Sequence, residues 1–263
     1  MDMPRSFYGV PRQYQPLLHE LGLISIESIF TDPRILAWRS IPERENCTLD
    51  AVLADRRPIR LHIKRHRPTN DRTPPGQQEA DGILMLQHAE IPTAPMVAWG
   101  KLDDGRSFLI TEDLTGYTPA DKLIQAGTPF DRLLQPTADL AARLHNANLH
   151  HRDLYLCHFL ARLDPENVDL RLIDAARVRT LPPWPFRHRW IVKDLAQFWY
   201  SATRLAVPDE TTRRWLLRYA HQRQIHNVDR LRHAILRKVR SIARHDAMLQ
   251  ARQPARNISL PGT

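Results

Sequence analysis

Cysteine is nearly absent. Cys47 and Cys157 are the two thiols in 263 residues, too few for a disulfide framework and in keeping with a reducing compartment. Glycine is scarce as well, nine against 21 prolines, and none stands between Gly22 and Gly76. A glycine-rich loop, which lets backbone approach phosphates closely, is therefore excluded from that stretch. No apolar run is long enough to cross a bilayer. The start, Met1-Asp2-Met3-Pro4-Arg5, lacks the apolar centre of a secretory signal. The expectation is a cytoplasmic protein that touches a membrane at most peripherally. Acidic residues are in deficit: 29 Asp and Glu face 38 Lys and Arg, a net charge of +9. That balance favours anionic partners, whether phosphates, nucleic acid or a membrane surface. No internal repeat is visible. A hydrophobic content of 42% over this length suffices for one large domain or two lobes around a cleft.

The most informative stretch runs His150-His151-Arg152-Asp153-Leu154-Tyr155-Leu156-Cys157-His158-Phe159-Leu160, and Leu170-Arg171-Leu172-Ile173-Asp174 follows it. An H-R-D loop followed by a short apolar strand ending in Asp is the core pattern of kinase-like phosphotransferases. Asp153 can orient or accept the proton of an acceptor hydroxyl. Asp174 can hold a magnesium ion that bridges nucleotide phosphates. On their own, two aspartates at a loop and a strand end are also compatible with plain solvation, so upstream partners decide.

Upstream, Leu17, Leu18, Leu21 and Ile24 recur at helical spacing, and residues 1–38 read as a packing extension. Thr48 to Ala54 is β-compatible, and Asp55-Arg56-Arg57-Pro58 is a turn. Ile59, Leu61 and Ile63 then alternate with Arg60, His62 and Lys64. Lys64 thus falls on the face opposite the apolar side chains, as either a solvated strand lysine or a phosphate contact. A helix is expected from about Gly76 to Ala89, with Ala80, Ile83, Leu84 and Gln87 inward and Glu79 beside that stripe. Glu79 is either a first-turn glutamate favoured by the helix dipole or the ion-pair partner of Lys64. Met96 to Trp99 and Phe108 to Thr111 read as strands. Glu112-Asp113-Leu114 follows where a hinge would lie, with backbone that could pair with an adenine edge. A lobe boundary is placed near residue 114.

Downstream, Pro129 to Leu149 is helical, with Leu133, Leu140, Ala141 and Leu144 on one side. It leads into His151-Arg152-Asp153. Leu154 to Ala161 and Leu170 to Ile173 are expected as a strand pair. Helices follow over Trp190–Leu205, from Pro208-Asp209, and over about Val228 to Leu249. Residues 251–263 are expected to fray.

The order Lys64, Glu79, hinge, Asp153, Asp174, Asp194 falls on strand, helix, linker, loop, strand end and helix start, as in the protein-kinase plan. Three features depart from it. The loop between the first two strands, expected near Pro42 to Cys47, has no glycine. His158 occupies the position where that plan has Asn, and imidazole is a poor magnesium ligand. Asp174-Ala175-Ala176 also replaces D-F-G.

The run from His151 to Leu160 resembles the lipopolysaccharide kinase (Kdo/WaaP) family, whose members carry a similar H-R-D-x-Y-x-C-H-F-L string. The likeness covers roughly residues 40 to 205. Leu61 to His66 looks like the family's lysine strand, Leu172-Ile173-Asp174 like its metal-binding strand end, and Lys193-Asp194-Leu195 like its later helix start. The family's His at the Asn position is matched by His158. The resemblance implies an α+β, two-lobed protein-kinase-like fold with a small β-rich N-lobe (39–114) and a helical C-lobe (115–250). It implies ATP-dependent transfer of the γ-phosphoryl group to a sugar hydroxyl of the lipopolysaccharide inner core, heptose or Kdo, at the cytoplasmic face of the inner membrane. In that reading His151, Arg152 and Asp153 form the catalytic loop. Lys64, Glu79 and Glu112 serve the nucleotide, Asp174 and His158 the Mg2+ site, and Asp194 supports the loop backbone. A protein or small-molecule kinase on the same fold is the nearest alternative. A pseudokinase scaffold is another: the missing glycines and altered D-F-G favour it, while Lys64, Asp153 and Asp174 count against it.

His145, His150, His151, Cys157 and His158 lack C-x-x-C or H-x-x-x-H spacing, which argues against zinc. Between Thr211 and Arg256 twelve Lys and Arg face only Asp229 and Asp246. They form either a solvated face or a surface for phosphorylated glycolipid and anionic headgroups. No nucleic-acid motif accompanies the charge, so nucleic acid is disfavoured as a partner.

Overall fold

The computed structural model describes residues 7–252. It divides into two compact units: the chain up to Met85 with Thr93–Thr115, and Leu86–Pro92 with the chain from Gly116 onward.

The first unit is built on a six-stranded antiparallel sheet: β1 (Phe7–Gly9), β2 (Leu36–Ile41), β3 (Arg44–Val52), β4 (Pro58–His66), β5 (Met96–Lys101) and β6 (Ser107–Glu112), in the order β1-β5-β6-β4-β3-β2. The period-two pattern of β4 is obeyed, with Leu61 and Ile63 buried and Lys64 opposite Leu109 of β6. The segment read as an extension takes part in both sheet and core. Phe7–Gly9 pairs with β5. Helices α1 (Gln15–Glu20) and α2 (Ile26–Thr31) bring Leu18, Ile26 and Ile29 into the same cluster as Leu61, Ile63, Phe108 and Ile110. Ser25 caps α2 by accepting the Ser28 N–H at 3.2 Å. The loop expected at Pro42 to Cys47 is only the two residues Pro42-Glu43. Arg44 already pairs with Ile41, and Cys47 is buried within β3.

Helix α3 (Pro75–His88) starts one residue earlier than expected, and its buried face is Gly76, Glu79, Ala80, Gly82, Ile83 and Leu86. Leu84 and Gln87, expected inward, are exposed, and Glu79 lies inside the stripe rather than beside it. Gly76 explains the rotation: a Cβ there would sit 2.6 Å from the Phe108 carbonyl oxygen. Only glycine lets the helix start this close to β6, and one turn later Glu79 is carried over the sheet.

The second unit is mainly helical: α4 (Ala120–Gln125), α5 (Phe130–Asn146), α6 (Arg187–Arg204), α7 (Asp209–Gln222) and α8 (Val228–Arg252). Its short strands are β7 (Thr118–Pro119), β8 (Leu149–His150), β9 (Phe159–Leu163), β10 (Val168–Leu172) and β11 (Arg179–Thr180), in the sheets β10-β9-β7 and β11-β8. Phe198 of α6 stacks on Trp215 of α7, ring centroids 4.0 Å apart, and the Trp215 indole N–H donates to Thr137 of α5 at 3.0 Å. This core fixes α6, on which the loop before β9 rests. Helix α8 continues through Arg252, past the point where fraying was expected, and residues 253–263 lie outside the described residues.

Candidate active site

In the first unit, the Lys64 ammonium donates to the Glu79 carboxylate at 2.6 Å, the two side chains being 24% and 5% exposed. Strand pairing sets the lysine and the glycine-led start of α3 sets the glutamate. Glu112 is arranged differently from the hinge expectation. Its N–H donates to the Pro95 carbonyl at 3.0 Å, and the Asp113 N–H donates to that of Arg60 at 3.1 Å. Neither N–H is left for an adenine edge. The Glu112 carboxylate meets Tyr14, whose hydroxyl pKa is pushed up to about 12 by burial and then by this hydrogen bond and charge.

In the second unit, the loop after β8 is held from below by one face of α6. Asp194 is fully buried. It accepts the backbone N–H of His151 at 2.7 Å and that of Arg152 at 2.8 Å. His145 of α5 lies against it at 3.3 Å and on its other nitrogen meets the Tyr219 hydroxyl at 2.7 Å. Burial opposes a charge on Asp194, but the hydrogen bond and charge of His145, with His151, outweigh it, and its pKa is lowered. Three residues further along α6, Gln197 accepts the Leu154 N–H at 3.2 Å and donates to the Arg152 carbonyl at 3.0 Å. Four residues beyond that, Ser201 accepts the Leu156 N–H at 3.1 Å. These side-chain acceptors take the N–H groups that a strand would have used, so the chain turns through a short 3-10 helix at Leu156–His158 and β9 begins only at Phe159. Gln197 and Ser201 were missed from the sequence. Their i+3 and i+7 spacing from Asp194 is the signal that would have found them.

The clamp gives the loop an unusual backbone. Arg152 has φ of 68° and Asp174 has φ of 62°, a left-handed conformation that non-glycine residues hold only when their surroundings enforce it. Burial keeps the His151 ring below its ordinary pKa. As a neutral imidazole it donates from Nε2 to the Ile173 carbonyl at 3.1 Å. His158 Nδ1 sits 2.7 Å from the Asp153 carbonyl oxygen and Nε2 lies 3.5 Å from the Asp174 carboxylate. Burial works against a charge on this ring, but Cys157, Asp174 and Asp153 outweigh it and push its pKa up to about 10. The donating Nδ1 fixes the ring so that Nε2 faces Asp174.

One potential ligand atom from each of Asp153, His158 and Asp174 falls within 4.8 Å of the others. Two carboxylates and an imidazole at that spacing fit a divalent cation. Hard oxygen donors come from the aspartates, and His158 is placed either as a third donor or as a cationic partner to Asp174 when no metal is there. The neighbouring histidines have other partners: His145 is bound to Asp194, and the His150 ring lies tilted against Trp190 with centroids 4.9 Å apart.

A sequence model of the lipopolysaccharide kinase (Kdo/WaaP) family matches residues 62–219. The lipopolysaccharide core heptose(I) kinase WaaP of Pseudomonas aeruginosa is 33% identical over 190 residues, 66% of this chain and 65% of that protein. A protein of the same name from Escherichia coli is 31% identical over 159 residues, 54% of this chain and 58% of its own. The similarity spans less than two thirds of each relative's length.

Proposed function

Because the chain belongs to the lipopolysaccharide kinase (Kdo/WaaP) family, we propose that it transfers the γ-phosphoryl group of ATP to a sugar hydroxyl of the lipopolysaccharide core, a heptose in the relatives' case. The observation that carries this reading is the Asp153–His158–Asp174 cluster on a loop clamped by Asp194. In this reading Asp153 accepts or orients the acceptor hydroxyl proton. Asp174 would hold magnesium with His158 beside it, and the ion would neutralise charge on the nucleotide phosphates. Lys64 grips those phosphates and Glu79 keeps its ammonium from turning to solvent. Catalysis is then positioning and charge stabilisation more than covalent chemistry.

Incubation with γ-labelled ATP and extracted lipopolysaccharide tests this. Label on the lipid is expected. Label on protein would favour a protein kinase, and none at all a scaffold. In the same assay Lys64→Ala should lower turnover by at least about tenfold, the loss of one electrostatic clamp. Near-wild-type turnover would remove Lys64 from the site.

Membrane association belongs to the same proposal, in narrower form than the charge count alone suggests. Arg214, Arg218 and Arg232 are committed to Asp131, Asp139 and Asp209, and Asp246 is buried against the Tyr200 hydroxyl at 2.6 Å. Arg230, Arg240 and Arg244 stay exposed on α8. Trp184 and Phe186 are exposed in the loop entering α6, aromatic side chains suited to a headgroup boundary. Binding to anionic liposomes should weaken steeply as salt rises, since exposed charges are screened beyond roughly 8 Å at physiological ionic strength. Equal binding to neutral and anionic liposomes, or to neither, would leave these arginines as a solvated face.

A further inference from the structure

From Ala175 to Lys193 the chain contains no Asp or Glu but has Arg177, Arg179, Arg187, Arg189 and Lys193. Structure concentrates part of this charge around one indole. The Arg152 guanidinium lies 4.7 Å from the Trp190 ring centroid, the Lys193 ammonium 5.4 Å and the Arg189 guanidinium 5.7 Å. Beside them is a cleft of about 380 Å³ whose charged and polar lining comes from His188, Arg189, Trp190, Lys193, Arg237 and Lys238, with no carboxylate among its lining residues. Trp190 joins the cleft to the catalytic loop, because Arg152 packs on it and directly precedes Asp153.

Three facts separate this cluster from an ordinary basic face. First, Arg152, Arg177, Arg189 and Lys193 have no carboxylate ion-pair partner among the described residues, unlike Arg214, Arg218 and Arg232, which each hold an aspartate. Second, the charges are partly taken out of water. Burial holds the Lys193 ammonium below its ordinary pKa, and the neighbouring Arg152 guanidinium adds to this against the opposing charge of Asp194. The Arg152 Nε is buried without a hydrogen-bond partner. Third, the buried Asp194 adds favourable charge to Arg152 and Lys193 but gives its hydrogen bonds to two backbone N–H groups and His145, so it makes no direct pair with either cation. Like charges held together and partly desolvated are unfavourable unless an anion completes them, and guanidinium groups suit the two oxygens of a carboxylate or phosphate.

We propose that this cleft, with Arg152, is a binding site for an oxyanion carried by the acceptor, a carboxylate or phosphate on a sugar next to the one whose hydroxyl reaches Asp153. The proposal rests on the kinase reading above and adds a determinant of which acceptors are used. Trp190 offers an apolar surface for the sugar ring, and the cations hold the charged substituent. The anion site lies to one side of the reacting hydroxyl and acts through acceptor affinity.

The test compares wild type with Arg189→Gln, Lys193→Gln and the double variant. Arg152 is left intact because it belongs to the catalytic loop. With extracted lipopolysaccharide as acceptor, the double variant should raise the acceptor KM about tenfold or more, the usual effect of losing charge-assisted contacts, while kcat at saturating acceptor and the KM for ATP stay within about twofold. The defect should disappear on an acceptor whose relevant charge has been removed. Carbodiimide amidation neutralises carboxylates and aqueous hydrogen fluoride removes phosphates, so whichever treatment equalises wild type and variant identifies the oxyanion. A KM unchanged in the double variant, a loss confined to kcat or to ATP, or a penalty that survives both treatments would overturn the site. Equilibrium binding of the same lipopolysaccharide without nucleotide keeps this proposal apart from the enzymatic one. A wild type that binds it more tightly than the double variant but transfers no phosphate would sink the kinase reading and leave the anion site standing. Equal binding by both proteins would remove the site whatever the activity.

Discussion

Asp174→Asn is expected to lose most of the magnesium-dependent thermal shift with ATP, while Asp153→Asn keeps a shift of wild-type size. Both variants should lose phosphoryl transfer by about 10²–10⁴-fold, the scale of removing a positioned acid or base. Each substitution preserves size and removes a charge from a partly exposed residue, so both proteins should fold. The difference comes from what each carboxylate faces. Asp174 lies two residues beyond β10, opposite His158 Nε2, and is assigned to the metal. Asp153 is approached by the Gln197 amide at 3.4 Å and is assigned to the acceptor hydroxyl. A ligand at about a hundred times its Kd stabilises the native state by roughly 2.7 kcal/mol, a rise of about 5–10 °C for a chain of this size, so the loss is easily read. If Asp153→Asn loses the shift and Asp174→Asn keeps it, the two roles are exchanged.

Asp194→Ala should be the most damaging single change in the second unit, although Asp194 touches no proposed substrate. Removing its carboxylate strands the buried N–H groups of His151 and Arg152 and leaves His145 unmatched. The expected cost is about 3–5 kcal/mol, a fall in Tm of roughly 10 °C or more, with activity lost as Arg152 relaxes from its left-handed backbone. Asp194→Asn keeps one acceptor oxygen and should fall between. The pH dependence follows from the lowered pKa. A carboxylate whose folded value is depressed adds stability that is whole above the ordinary Asp value of 3.8. That stability drains away as pH falls toward the folded value. The gap between wild type and Asp194→Ala should therefore be constant near neutrality and shrink in acid. A melting temperature for Asp194→Ala within about 2 °C of wild type at neutral pH would show that the clamp does not hold the loop.

The parts of this protein legible from sequence are those whose chemistry is local. Alternation placed Lys64 on the face of β4 away from Leu61 and Ile63, and the H-R-D string and the strand ending at Asp174 marked the loop residues that meet at His158. The sequence was a poorer guide where packing decides. Nothing in the spacing of Leu84 and Gln87 reveals that Gly76 turns α3 by drawing its first turn onto Phe108. Leu154–His158 has the apolar content of a strand, and only the side chains of Gln197 and Ser201, some forty residues away, take its backbone hydrogen bonds elsewhere. That the N–H groups of Glu112 and Asp113 are spent on Pro95 and Arg60 was equally out of reach, since main-chain hydrogen bonds leave no trace in side-chain identity. The small elements α4, β7, β8 and β11 are too short for periodicity to register. The cationic cluster around Trp190 was half visible. The acid-free run from Ala175 to Lys193 is plain in the sequence, but its convergence on one indole beside Asp153 is tertiary.

The most direct measurement is mass spectrometry of the core oligosaccharide released from lipopolysaccharide after incubation with the protein, ATP and magnesium. The account predicts the gain of one phosphate on an inner-core sugar with wild type and none with Asp153→Asn. An unmodified core in the presence of a wild-type protein that demonstrably binds magnesium and ATP would contradict it.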